Sequence, residues 1–122
     1  MAKRTQPLTV AEAAAAYDRL EVTWREADEW CRALEGAFTA VLDQHTAIGR
    51  RLSDAIKPML QGDPPTEDTA PLWAEEARLR EQMHAVMACR RAAAKRRTAV
   101  KVVLDKAYHA EARALSRSRR AA

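Results

Sequence analysis

The sequence predicts an all-α protein, built as a long antiparallel helical hairpin or coiled coil, with a fold-back into a four- or five-helix bundle as the alternative. Three observations carry this expectation. Apolar residues recur in alternating steps of three and four along most of the chain, and a single Pro- and Gly-containing stretch interrupts them. The composition is 31% charged and only 5% aromatic, as in helical and coiled-coil proteins. No β-branched residues alternate with polar ones in the way a half-buried strand requires. At 122 residues the chain reads as a single helical domain, 1–122.

Each element follows in order. Thr9-Val10-Ala11-Glu12 has the T-x-x-E form of a capping box, in which the two side chains satisfy free backbone N–H groups at a helix start. From there Val10, Ala13, Tyr17, Leu20, Trp24, Ala27, Cys31, Leu34, Phe38, Val41, His45, Ile48, Leu52, Ala55 and Met59 mark seven heptads, with His45 the one polar member. The first helix is therefore expected over about 10–60, with Gly36 and Gly49 as the places for a bend. Pro58 restricts Lys57, and 61–71, with Gly62, Pro64, Pro65 and Pro71, reads as the loop. Pro71 suits the first turn of a second helix over about 72–116, capped by Thr69 or Asp68. Its expected stripe is Leu79, Gln82, Val86, Cys89, Ala93, Arg96, Val100, Val103, Ala107, Ala110 and Ala114, rich in small residues. Residue numbers facing each other should then total about 131, with that value set by the midpoint of the loop.

Two helices bury one stripe each, so bulky groups off the stripes, Trp30, Leu42 and Trp73, are surplus apolar surface. Tyr17, Leu20, Trp24, Trp30, Leu34, Phe38, Val41 and Leu42 are the expected protein-interface residues, for other subunits or for self-association. Cys31 and Cys89 form no CxxC pair and read as reduced core residues, with no disulfide.

Charge is divided sharply along the chain. Met83–Ala122 holds eleven Lys/Arg against two acids, whereas Met1–Gln82 holds ten against fifteen. At 100° per residue, Arg90, Arg91, Lys95, Arg97, Lys101, Lys106 and Arg113 fall in one arc of the second helix, with Arg117 continuing it in a flexible basic tail, 116–122. These eight are the candidate nucleic-acid-binding residues, since cations along a helix face neutralise phosphates and release counterions. Base-specific reading would need amides or aromatics aimed at the bases, which this face lacks apart from Tyr108 and His109.

Other chemistry finds little support. Glu81-Gln82-Met83-His84 has the Glu-x-x-His spacing of di-iron bundles but neither a second copy nor further glutamates in place, so no metal is expected. No serine or cysteine neighbours His45, and no Gly-rich phosphate loop exists, so no catalytic residues, cofactor or small-molecule substrate are expected. Leu8–Ala14 resembles the first helix of some helix-turn-helix domains, but no glycine-containing turn follows. No segment has the roughly 18 apolar residues needed to span a bilayer, and no signal-peptide core follows Met1–Pro7, so a cytoplasmic protein without a membrane partner is expected.

The expected function is therefore that of a non-enzymatic small helical subunit. It would bind RNA or DNA backbone without sequence specificity, within a ribonucleoprotein or other multi-subunit assembly. In architecture alone it resembles the small helical subunits of CRISPR effector complexes, which line a nucleic-acid path without reading sequence. The alternative is a structural coiled-coil protein, such as a phage virion or assembly component, that oligomerises through its heptad helix.

Overall fold

The computed structural model describes residues 7–122. Two helices, α1 (Val10–Ile56) and α2 (Ala70–Ala121), pack against each other as a hairpin and are joined through a short 3-10 turn at Lys57–Gln61. The expected domain's first six residues lie outside the described ones. The hairpin is the observed arrangement and the four- or five-helix bundle is not, because α1 runs unbroken through Gly36 and Gly49. Both glycines face open space, so nothing wedges the helix apart, and the about 1 kcal/mol each costs is small beside the continuous hydrogen-bond ladder.

The capping box forms as its sequence predicts. The Thr9 N–H donates to Glu12 Oε1 at 3.4 Å and the Glu12 N–H donates to Thr9 Oγ1 at 3.2 Å. At its other end α1 stops at Ile56, four residues short of the expected boundary. Pro58 has no N–H to continue the ladder, so the chain tightens into the 3-10 turn. Gly62 then takes φ 82°, the one left-handed residue among those described. Its N–H donates to the Met59 carbonyl and that of Asp63 to the Pro58 carbonyl, both at 3.1 Å, the two bonds of a Schellman motif. The loop between Gly62 and Thr69 is thus shorter than the expected 61–71. Asp68 caps α2, accepting from the Ala70 N–H at 3.1 Å.

The far end of α2 also differs from expectation. Residues 116–121, read as a flexible tail, belong to the helix. Arg117 Nη2 donates to the Leu8 carbonyl at 3.1 Å and Arg120 reaches back to the Ser116 carbonyl and hydroxyl, which supplies partners that a frayed end would lack.

On α1 the expected stripe is the observed one. Every member from Val10 to Ala55 is buried or half-buried, and only Met59, beyond the helix end, is exposed. On α2 half of the expected stripe is displaced. Leu72, Leu79, Val86, Ala93, Val100, Ala107 and Ala114 occupy one heptad position and are covered, but Gln82, Cys89, Arg96 and Val103 are exposed. The second position is held instead by Glu76, Met83, Arg90, Arg97, Leu104 and Glu111, all buried or half-buried. The stripe therefore steps four then three after each shared position, where three then four was expected. Cys31 is buried as expected, while Cys89, outside the true stripe, is exposed; both are free thiols.

The contacts divide the chain into a terminal unit, up to Cys31 with Ala93–Ala122, and a loop unit, Arg32–Ala92. In the terminal unit Tyr17 faces Tyr108, Trp24 faces Lys101 and Asp28 faces Arg97, and each pair of numbers totals 125. In the loop unit Glu35 meets Arg90 with the same total, and Leu52, Ala55 and Leu72 form a small core that Ile48 packs against. The expected total of about 131 is corrected downwards because the helix ends, Ile56 and Ala70, set the register; the 3-10 turn adds length to one side only.

Three substitutions read these features in urea unfolding followed by circular dichroism. Leu79→Ala, at a side chain only 1% exposed, is expected to lose about 2–5 kcal/mol. Gly36→Ala should gain about 0.5–1 kcal/mol, whereas Gly62→Ala should lose about 1–2 kcal/mol, the penalty of a side chain in left-handed backbone. A Gly36→Ala variant less stable than the parent would contradict an unbroken α1.

Candidate nucleic-acid interface

In the terminal unit the two helices carry opposite charge. Val10–Cys31 of α1 has six acids and two arginines, and Ala93–Ala121 of α2 has nine Lys/Arg and two acids. Part of this cationic charge is taken up within the chain. Arg97 lies on the covered stripe, where its guanidinium donates to Asp28 Oδ1 at 3.1 Å. Lys101 pairs with Asp105 at 3.3 Å and its ammonium lies 5.6 Å from the Trp24 ring centroid. Arg117 is tied to the Leu8 carbonyl.

In the loop unit, too, cations are taken up within the chain. Arg90, also on the covered stripe, donates to Glu35 Oε1 at 2.6 Å while its guanidinium stacks 4.4 Å above the Phe38 ring. A charged head that both pairs with an acid and lies over an aromatic face lets arginine occupy a half-buried stripe position. Further along, His45 Nε2 lies 3.1 Å from Glu76 Oε1, with Arg80 at 3.6 Å from the same oxygen. Arg51 grips Glu67 through both Nε and Nη2, which raises its pKa. Hydrogen bonds from Arg78 hold the Glu75 carboxyl below the usual carboxylate range.

Four of the eight expected nucleic-acid residues, Arg90, Arg97, Lys101 and Arg117, are therefore engaged within the chain. The other four, Arg91, Lys95, Lys106 and Arg113, are exposed, and no ion pair among the described residues holds them. Arg91 belongs to the loop unit and the other three to the terminal unit. Lys95, Lys106 and Arg113 fall within about 20° of one line along α2, on the side away from α1, and span about 27 Å at 1.5 Å per residue. Arg96 and Arg119, outside the expected set, are exposed and unpaired as well. Arg96 was legible as a cation but was assigned to the apolar stripe.

Of the expected protein-interface residues, Tyr17, Leu20, Trp24, Leu34, Phe38 and Val41 lie on the covered stripe of α1, buried or half-buried. Only Trp30 and Leu42 face solvent, at 59% and 39% exposure. Partial burial, reinforced by the Glu21 carboxylate, raises the pKa of the Tyr17 phenol. In the loop unit Ile56, Met59, Leu60 and Trp73 line an apolar groove of about 550 Å³. Glu81 and His84 are both exposed, and among the described residues no cluster of three or more His, Cys, Asp or Glu is placed to hold a metal ion.

The two kinds of cation should separate in stability measurements. Arg97→Gln is expected to cost about 1 kcal/mol, the upper range for a partly exposed ion pair, while Lys106→Gln should stay within about 0.5 kcal/mol of the parent. Equal losses in thermal or urea unfolding would show that Lys106 is not a free surface cation.

No helix among the described residues is long and apolar enough to cross a membrane. No protein-family model, curated protein or solved structure matches the chain.

Proposed function

We propose that the protein is a non-enzymatic helical hairpin that binds nucleic-acid backbone without sequence preference, through the outer line of α2 in the terminal unit. The observation that carries this is the line itself. Lys95, Lys106 and Arg113 are exposed, aligned and unpaired, although acids are plentiful on α1 of the same unit. Aligned free cations attract a polyanion, and each phosphate they neutralise releases a counterion. Among the described residues no amide side chain adjoins the line, which favours backbone contact over reading of bases. The stripe arginines Arg90 and Arg97 have a structural role in this reading. Membership of a larger assembly is supported by the apolar groove of the loop unit, where Leu60 is 89% exposed.

The test is the salt dependence of affinity for a mixed-sequence single-stranded oligonucleotide, measured by fluorescence anisotropy. The parent is expected to bind, weakening steeply as salt rises. Lys95→Gln/Lys106→Gln/Arg113→Gln should lower the log–log slope by about 2–3, at about 0.7–0.9 per lost phosphate contact, with helicity unchanged. No binding at low salt, or a slope untouched by the triple change, rejects the proposal.

A further inference from the structure

We propose that the terminal unit pairs with that of a second copy of this chain through one flank of the hairpin, with α1 of each copy lying over α2 of its partner. Helix geometry defines the flank. The contacts of Tyr17 with Tyr108, Trp24 with Lys101 and Asp28 with Arg97 all lie to one side of the covered stripe. At 100° per residue, Thr23 and Trp30 on α1 and Arg96 and Val103 on α2 project about 50–90° to the other side. Trp30 is 59% exposed and Val103 47%. On the first side, by contrast, the Trp24 ring is half-buried beneath Lys101. Around Trp30 and Val103 the flank is made of small residues at the same heptad positions, Ala16, Thr23 and Ala110, so a facing helix can approach closely.

Charge selects the occupant. The α1 side of this unit is acidic and the α2 side basic, and among the described residues only Asp28 and Arg97 form an ion pair between side chains of the two helices here. On this flank Glu26, with Arg19 one heptad before it, stays exposed on α1, and Arg96 stays exposed on α2. A two-fold axis running along the hairpin, between two facing flanks, sets each acidic α1 over a basic α2. Facing α1 with α1 would set acid against acid. The same surface on both copies is then self-complementary, as closed dimers require. The area is also adequate: a ribbon two helices wide, about 20 Å by 33 Å over Val10–Cys31, presents about 650 Å², close to the about 800 Å² per partner of a stable interface. The outer line of Lys95, Lys106 and Arg113 remains largely open in such a dimer, so this inference does not rest on the polyanion reading.

The experiment is sedimentation equilibrium of the full chain, without nucleic acid, at low and high salt. A dimer is expected that weakens as salt rises. Trp30→Glu and, separately, Arg96→Glu should each raise the dissociation constant at least tenfold with circular dichroism unchanged, and the second variant keeps the test intact if the first fails to fold. Glu26→Lys should weaken the dimer, and adding Arg96→Glu should restore it. A chain monomeric at all concentrations, whether its flank stays bare or receives a different protein, overturns the proposal, as does a dimer indifferent to all of these changes. The Gln variants of the outer line leave this assembly intact, so loss of oligonucleotide binding and loss of dimer are separate results.

Discussion

Two helices that meet along one stripe have no second layer to correct a mismatch, and here four of the thirteen residues on the α2 stripe are charged. At one heptad position α2 offers Leu72, Leu79, Val86, Ala93, Val100, Ala107 and Ala114; at the other it offers Glu76, Met83, Arg90, Arg97, Leu104 and Glu111. Arg90 and Arg97 fit only where α1 supplies both a carboxylate and, for Arg90, a ring beneath it, as Glu35, Phe38 and Asp28 do. A shift by one residue separates these pairs and removes the apolar position from cover at the same time. The ion pairs thus act less as a source of stability than as a condition on alignment, which is the best-attested use of polar groups at core positions.

That condition reorganises the meaning of the basic half of the chain. Its cations divide into those bonded within the chain and those that face outward with no ion pair among the described residues. Net charge does not distinguish them, because both groups count equally at pH 7. Position on the helix does. The acidic surplus on α1 is also only partly used: Asp28 and Glu35 reach across, while Asp18, Glu26 and Glu29 stay on the surface.

Most of the fold was legible in the residues because the signals were local. The Thr9 and Glu12 capping box, the seven heptads of α1 and the Pro58 stop each depend on neighbours within one or two turns. The α2 stripe was not fully legible, and the reason is chemical. Apolar residues stand at 89, 103 and 110 on one side of the shared 86/93/100/107 line and at 83 and 104 on the other, so apolar content alone gives two candidate stripes about 50° apart. Deciding between them needs the knowledge that Arg90 sits over Phe38 and Arg97 beside Asp28, which are contacts between residues 52 and 69 positions apart. The candidate site inherited the same ambiguity: a guanidinium on a stripe and one on the surface are identical in sequence. Register is hard to read from sequence for a related reason, since the 3-10 turn adds residues to one side of the loop only.

The hairpin's cross-helix bonds span steadily growing stretches of chain: 16 residues for Arg51 and Glu67, 55 for Arg90 and Glu35, 69 for Arg97 and Asp28, and 109 for Arg117 and Leu8. Closing the longest directly from the unfolded chain costs about 1.7 kcal/mol more than closing the shortest, by the logarithmic loop law. Once the Schellman turn at Gly62 and the Arg51–Glu67 clasp are in place, each later bond closes only the short gap beyond its predecessor. Pairing outward from the turn is therefore the route that gives up least chain entropy at each step, and the bond of Arg117 to Leu8 gains most from the pairs formed before it.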